Sequence, residues 1–238
     1  MTILKGIPSR CRQPEIMDQP DLDSGSFVGA LRALERINWM SRSAGILWPR
    51  IKELALSRKK TDLRLLDVAT GAGDVPLRLW RRARKAGINL QIEGCDVNQH
   101  AVAHASGRAR DHGIPAQFFV WDAVTNPFPD RYDVVTSSLF LHHLDESDGL
   151  RLLGHMMQAT DHLVLINDLV RNRSGYWLAY AGTRILSSSP VAHVDGPRSV
   201  ESAYTLAEAT ELARRAGMAG TRIERRFPCR YLLSWESE

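Results

Sequence analysis

Residues 65–74 read Leu-Leu-Asp-Val-Ala-Thr-Gly-Ala-Gly-Asp, an apolar run that ends in an acid and breaks at once into a glycine turn. Few architectures accept such a stretch. Residues 63–68 alternate too little for a half-exposed strand and are too few for a helix, so they predict a strand buried on both faces inside a parallel sheet. Gly71 and Gly73 follow, and residues 75–85 have helical spacing. Strand, tight turn and helix make the first half of a βαβ nucleotide-binding unit, in which glycines let backbone approach a ligand where a Cβ would collide.

The identity of that ligand is narrowed by the residues the turn lacks. A dinucleotide fingerprint needs a third glycine where this chain has Pro76, and no Lys-Ser/Thr pair follows to make a P-loop. Asp67 stands at the strand end instead, four residues before Gly71. A carboxylate there repels a pyrophosphate and suits a cationic ligand, such as the sulfonium and α-ammonium of S-adenosylmethionine (SAM). The pattern D-x-A-x-G-x-G-D resembles motif I of the class I SAM-dependent methyltransferases. Ala69, where a further glycine often sits, is similar to the ubiquinone/menaquinone C-methyltransferase branch.

Two more acids fall in register. Residues 90–95 predict a second strand ending in Asp96, a little over twenty residues past the turn, where a carboxylate accepts from the two ribose hydroxyls. Residues 117–120 predict a third strand, followed by Trp121-Asp122-Ala123, an aromatic, an acid and a small residue suited to adenine. In the class I family the acid at this place accepts from the N6 amine. The resemblance thus implies cofactor contacts from Asp67, Ala69, Thr70, Gly71, Gly73, Asp96, Val97, Asp122, Ala123 and Ser138.

Composition narrows the partners. The chain has 238 residues, enough for one good-sized core, with 44% hydrophobic and 24% charged residues. A net charge of +4, with arginines at 78–85, 214–215 and 222–226, reads as solvated faces rather than a nucleic-acid stripe, since no aromatics interleave them. Cys11, Cys95 and Cys229 lie far apart with no C-x-x-C, which argues against disulfides or zinc and fits a reducing, cytoplasmic setting. No apolar stretch approaches membrane-spanning length. The expected partner is a small molecule, with no nucleic acid, no membrane span and no metal. His100 and His104, four apart on a predicted helix capped by Asn98, read as surface residues.

Ahead of the motif, residues 1–60 predict a lead-in and a helical cover. It consists of two helices broken around residues 41–45, with Pro49 in the first turn of the second. The resemblance implies that such helices cover the active-site mouth, making Phe27, Trp39, Met40 and Trp48 candidate walls for an apolar acceptor.

Residues 61–238 predict the SAM-binding domain. A fourth strand over residues 131–138 ends in Ser137-Ser138-Leu139-Phe140-Leu141-His142-His143, and residues just beyond a strand's carboxyl end in an open α/β sheet face the ligand. His143 is the first candidate for a general base, His142 the next. Residues 171–203 read as a long substrate-side insertion. On it His193 is a third candidate base, with Asp195 to orient it and Arg198 to hold an acceptor oxygen, although Asp195-Gly196-Pro197 also reads as a turn. A helix after Thr205, ended by Gly217, leads to two closing strands around Pro228-Cys229.

The fold class expected is therefore α/β: a Rossmann-like methyltransferase fold with a seven-stranded, mostly parallel sheet, a C-terminal antiparallel hairpin and helices on both faces. S-S-L-F-L-H-H-L, S-P-V-A-H-V-D-G-P-R-S-V and P-C-R-Y-L-L-S-W are similar to bacterial methyltransferases encoded beside type III polyketide synthases. That resemblance implies O-methylation of a phenol or enol. C-methylation of a quinone-type ring and non-catalytic binding of SAM or its product are the alternatives.

Overall fold

A computed structural model describes residues 7, 9–13, 15, 16, 43–187 and 189–237. The helix expected over residues 27–39, with Phe27, Trp39 and Met40, lies outside the described residues.

Among the described residues, seven strands form one sheet: β1 (Asp62–Val68), β2 (Asn89–Asp96), β3 (Ala116–Val120), β4 (Tyr132–Ser138), β5 (Thr160–Leu169), β6 (Arg222–Arg226) and β7 (Arg230–Glu236). Their order is β3-β2-β1-β4-β5-β7-β6, and β7 alone runs against its neighbours. After β1 the chain steps outward to β2 and β3, then returns to place β4 on the other side of β1. This reversal of winding opens a crevice at the carboxyl ends of β1 and β4, where ligands settle in such sheets.

Adjacent strand residues serve opposite faces, as the period of two requires. Leu65, Leu163, Leu165 and Leu232 join one apolar cluster, while Leu66, Val164, Ile166 and Leu233 join the other. The first cluster packs under α1 (Ser43–Ser57) and α2 (Asp74–Lys85), and α3 (Gln99–Asp111) lies beside them against β2 and β3. The second packs under α4 (Glu146–Gln158) and α7 (Leu206–Arg215). The remaining α-helices among the described residues are α5 (Arg173–Leu186) and α6 (Pro190–Ser202). Asn98 caps α3 by accepting from the N–H groups of His100 and Ala101, and Thr205 with Glu208 makes a capping box on α7.

Three expectations need correction. Pro49, expected in the first turn of the second helix, lies inside a helix that already starts at Ser43. Ala44, Ile46 and Leu47 share a buried face with Ile51, Leu54 and Ala55, and that burial outweighs the interior proline's cost of about 3 kcal/mol. Trp48 packs on the core beneath α1 and does not reach the crevice. The 171–203 insertion is two packed helices rather than a loop, and Asp195-Gly196-Pro197 lies inside α6. A Cβ on Gly196 would come within 2.5 Å of Thr183 Cγ2, so this glycine serves the close approach of α6 to α5.

Candidate functional site

The turn after β1 coils through positive φ at Ala69 (54°), Gly71 (53°) and Gly73 (70°). Glycine takes this conformation without strain, whereas an alanine gives up about 1–2 kcal/mol. Asp67 is buried beneath the turn, its Oδ2 accepting from Thr70 Oγ1 at 2.8 Å and its Oδ1 from Thr136 Oγ1 at 2.7 Å. Burial pushes its carboxyl up to about 7, against those two hydrogen bonds. Asp96, at the end of β2, is fixed by the N–H groups of Gly71 and Asn98, each at 2.9 Å. Asp122 Oδ1 accepts from the N–H groups of Val124 and Thr125. Partial burial works against that charge, but the hydrogen bonds hold the carboxyl below the usual carboxylate range.

On the other side of β1, the backbone turns sharply at Leu139 (φ 58°), and a short 3₁₀ turn, Leu141–His143, comes next. His142 is buried. Its Nδ1 lies 2.6 Å from Asp168 Oδ1, and its N–H donates to Asp168 Oδ2 at 3.0 Å. Its Nε2 faces Glu15 Oε1 at 3.7 Å. Burial alone would lower the imidazole pKa, but Asp168 and Glu15 outweigh it and push it up to about 10. His142 is therefore a cation at neutral pH and no proton acceptor.

His143 is half-buried, stacked on Phe140, and its Nε2 lies 3.8 Å from Glu15 Oε1. Burial disfavours the Glu15 charge, yet the neighbouring His142 and His143 imidazoles and the hydrogen bond from the Ser199 hydroxyl hold the carboxyl down at about 2. Glu15 belongs to an N-terminal strap sewn across this end of the sheet. Arg10 donates to the carbonyls of His142, Leu144 and Ser202, Arg12 to that of His143, and Ile16 N–H to Asp195 Oδ1.

Both halves face one cavity of about 890 Å³. This lies near the upper end of the ~300–1,000 Å³ usual for ligand sites, room for a nucleoside and a second small molecule. Asp67, Ala69, Thr70, Gly71, Asp96 and Val97 line it, as do Asp122, Ala123 and Ser138. Gly73 does not; a Cβ there would meet Ala105 Cβ at 2.9 Å, so it serves the packing of α3. His142 and His143 reach the cavity. His193 does not: its Nε2 bonds the Ser187 carbonyl at 2.7 Å, and Asp195 is buried under Ile16 rather than orienting it. Arg198 is likewise absent from the wall.

Glu15, His142 and His143 bring one carboxylate and two imidazole nitrogens within 4.8 Å of one another, a spacing open to a metal ion. A metal there would have to displace the proton that Asp168 and Glu15 favour on His142, which lowers the affinity of the cluster at neutral pH. Glu15 and the apolar wall from α5 and α6, including Leu178 and Val200, carry no local signal in the sequence, because each reaches the site through distant packing. Asp168 had one, an acid at a strand end next to the crevice.

Residues 65–162 match the family described as "Methyltransferase domain". The chain is 30% identical over 143 residues to the demethylmenaquinone methyltransferase of Thermus thermophilus, covering 59% of this chain and 63% of that one. It is 30% identical over 97 residues to the ubiquinone/menaquinone C-methyltransferase UbiE of Burkholderia cenocepacia, covering 40% and 39%. The chain thus spans less than two thirds of the length of these relatives.

Among solved structures, magnesium protoporphyrin IX methyltransferase from Synechocystis PCC 6803, with bound SAH, superposes with a TM-score of 0.61. It is 14% identical, over 91% of this chain and 96% of that one. The O-methyltransferase NcsB1, in complex with SAH and 1,4-dihydroxy-2-naphthoic acid, gives 0.52 at 21% identity, over 73% and 48%. At these identities the two structures establish the shared fold.

Proposed function

We propose that this chain is a class I SAM-dependent methyltransferase, a reading supported by the match of residues 65–162 to a methyltransferase domain and by the likeness to the Thermus thermophilus enzyme, and that it methylates the oxygen of a small phenol or enol, aromatic or polyketide-like. One observation carries the reading: the acids of the nucleoside side and a histidine–carboxylate cluster face each other across a single cavity. The residues present fit SAM. Asp96 and Asp122 suit the ribose and the adenine amine, Asp67 the cationic end, and Ser138 Oγ is buried at the wall with no hydrogen-bond partner among the described residues. When bound, SAM supplies the electrophilic methyl group; alignment, proton removal and exclusion of water fall to the protein.

A phenol of pKa near ~10 is mostly protonated at neutral pH and needs a base. His143 faces the cavity and takes that proton, while ionised Glu15 supports the imidazolium that results. His142, held as a cation by Asp168, stabilises the developing phenolate. Phe140, Leu178 and Val200 supply the apolar wall. C-methylation of a quinone-type ring is a second reading, favoured by the names of the curated relatives.

The test is turnover with SAM and a panel of phenols, alkylresorcinols, pyrones and hydroquinones, with products identified by mass spectrometry and NMR. A methyl ether supports the proposal. A ring C-methyl product replaces it with the second reading, and SAM binding without any product leaves a non-catalytic binder.

The acids give two predictions for the cofactor. Asp96→Ala should weaken SAM binding by about 10–100-fold in calorimetry, the value of hydrogen bonds to a charged group; wild-type affinity would remove Asp96 from the ribose site. Asp67 sits near pKa 7 without a cation beside it. A cationic ligand favours its ionised form, so binding below pH 7 should release a proton and weaken as pH falls, by up to about tenfold per unit. Calorimetry at pH 6 in two buffers of different ionisation enthalpy reads that proton. No exchange, or the same exchange in Asp67→Asn, defeats the assignment.

A further inference from the structure

Helix α5 has two working flanks. Leu178, Ala179, Gly182 and Thr183 line the cavity. Away from it, Trp177 is 63% and Ile185 80% exposed, and Tyr180 is exposed beside them. Tyr176, Trp177 and Tyr180 form a row of edge-on rings with centroids 5.6 and 5.7 Å apart. The turn between β6 and β7 abuts the start of this helix, where Ser174 Oγ lies 3.7 Å from Cys229 Sγ. That turn carries Phe227, 90% exposed and, like Leu178, at the cavity rim.

Single exposed apolar side chains are ordinary, but adjoining aromatic and aliphatic ones mark an interaction surface. Charge indicates the partner. No Asp or Glu occurs from residue 169 to 194, and Arg173 and Arg184 are exposed at the two ends of α5, with the Arg184 guanidinium 3.6 Å over the Tyr180 ring. Trp and Tyr among arginines, without an acid, is the composition of a helix lying in the headgroup region of an anionic bilayer. At 14 residues, about 21 Å long, α5 lies on such a surface rather than crossing it. No described helix is long and apolar enough to span.

We propose that the outer face of α5, with Phe227, docks on an anionic lipid bilayer and presents the cavity mouth to it. The acceptors this favours are amphipathic, with an apolar tail that enters from the hydrocarbon without crossing water. That last clause rests on the proposed methyl transfer; the docking does not.

The experiment is co-sedimentation of the full chain with sucrose-loaded vesicles of phosphatidylcholine alone, or with about a third phosphatidylglycerol, with neither SAM nor acceptor added. The wild type should pellet with the anionic vesicles and release in high salt. Trp177→Ser with Ile185→Ser should weaken binding roughly tenfold, and Arg173→Gln with Arg184→Gln about fivefold per arginine. Both variants should keep wild-type SAM affinity by calorimetry, which shows that they fold. Wild-type protein left in the supernatant with both vesicles overturns the proposal, as does unchanged binding by the double variants. A dimer that Trp177→Ser disrupts, with no vesicle binding, assigns the patch to a second copy and also overturns it. Because vesicle binding is read without turnover, its failure leaves the methyl transfer untouched, and the reverse holds.

Discussion

Asp168→Ala is expected to destabilise the chain by roughly 3–5 kcal/mol near pH 6, the cost of leaving one member of a buried ion pair without its partner. Asp168 accepts from the His142 ring at 2.6 Å and from the His142 N–H at 3.0 Å, both out of water, and from the partly buried Leu169 N–H at 2.7 Å. Truncation therefore strands a buried imidazolium with Glu15 alone and unpairs backbone donors as well.

The sign of the pH dependence comes from both partners. The imidazole pKa is raised from 6.5 to about 10, so its contribution is complete below 6.5 and lost as pH rises through 10. Burial opposes the Asp168 charge, but His142 holds that pKa below 3.8, so its contribution is present above 3.8 and lost as pH falls below it. The gap between wild type and variant should be widest between pH 4 and 6.5 and shrink towards pH 10. Urea unfolding at pH 6, 8 and 10 measures it. A gap under about 1 kcal/mol at pH 6 would make this an ordinary hydrogen bond, and one that does not narrow by pH 10 would place the charge elsewhere.

The half of the cavity built on the ends of β1, β2 and β3 was legible in the sequence because its parts are local. Leu65 and Leu66 serve opposite faces of a buried strand, the turn needs positive φ at Gly71 two residues on from Ala69, and Asp96 and Asp122 each follow a strand by chain position alone. The half around Glu15, His142 and His143 is assembled from afar. Glu15 meets His142 across 127 positions of chain, through a strap whose arginines bond carbonyl groups that every sequence possesses. Helix α6 was hidden for a different reason. Gly196 and Pro197 argue for a turn on local propensity, yet the glycine is needed where α6 presses on Thr183, and packing decides. Trp48 misled in the same way: an aromatic suited to an acceptor wall is equally suited to the core beneath a sheet.

The distinction between the two adjacent histidines is likewise invisible in the sequence, and it generates the sharpest test of the chemistry. His142 is buried between Asp168 and Glu15, and His143, less buried on the same cavity wall, has Glu15 Oε1 3.8 Å from its Nε2. His143→Ala should lower turnover by about 10²–10⁴-fold, the usual worth of a general base, and leave SAM affinity within about twofold, since the lost interaction is made in the transition state. The deficit should shrink as pH rises towards ~10, where a phenol ionises without help.

Glu15→Gln keeps the shape and removes the charge that supports the imidazolium, so turnover should fall by about 10–100-fold with little change in the KM for SAM. Asp168→Ala, by contrast, should act first on stability. Turnover of His143→Ala within about threefold of wild type at pH 7 would remove the base from the mechanism. A large deficit that persists unchanged to pH 10 would recast His143 as a residue that holds the acceptor in line with the methyl group, where alignment rather than proton transfer limits the rate.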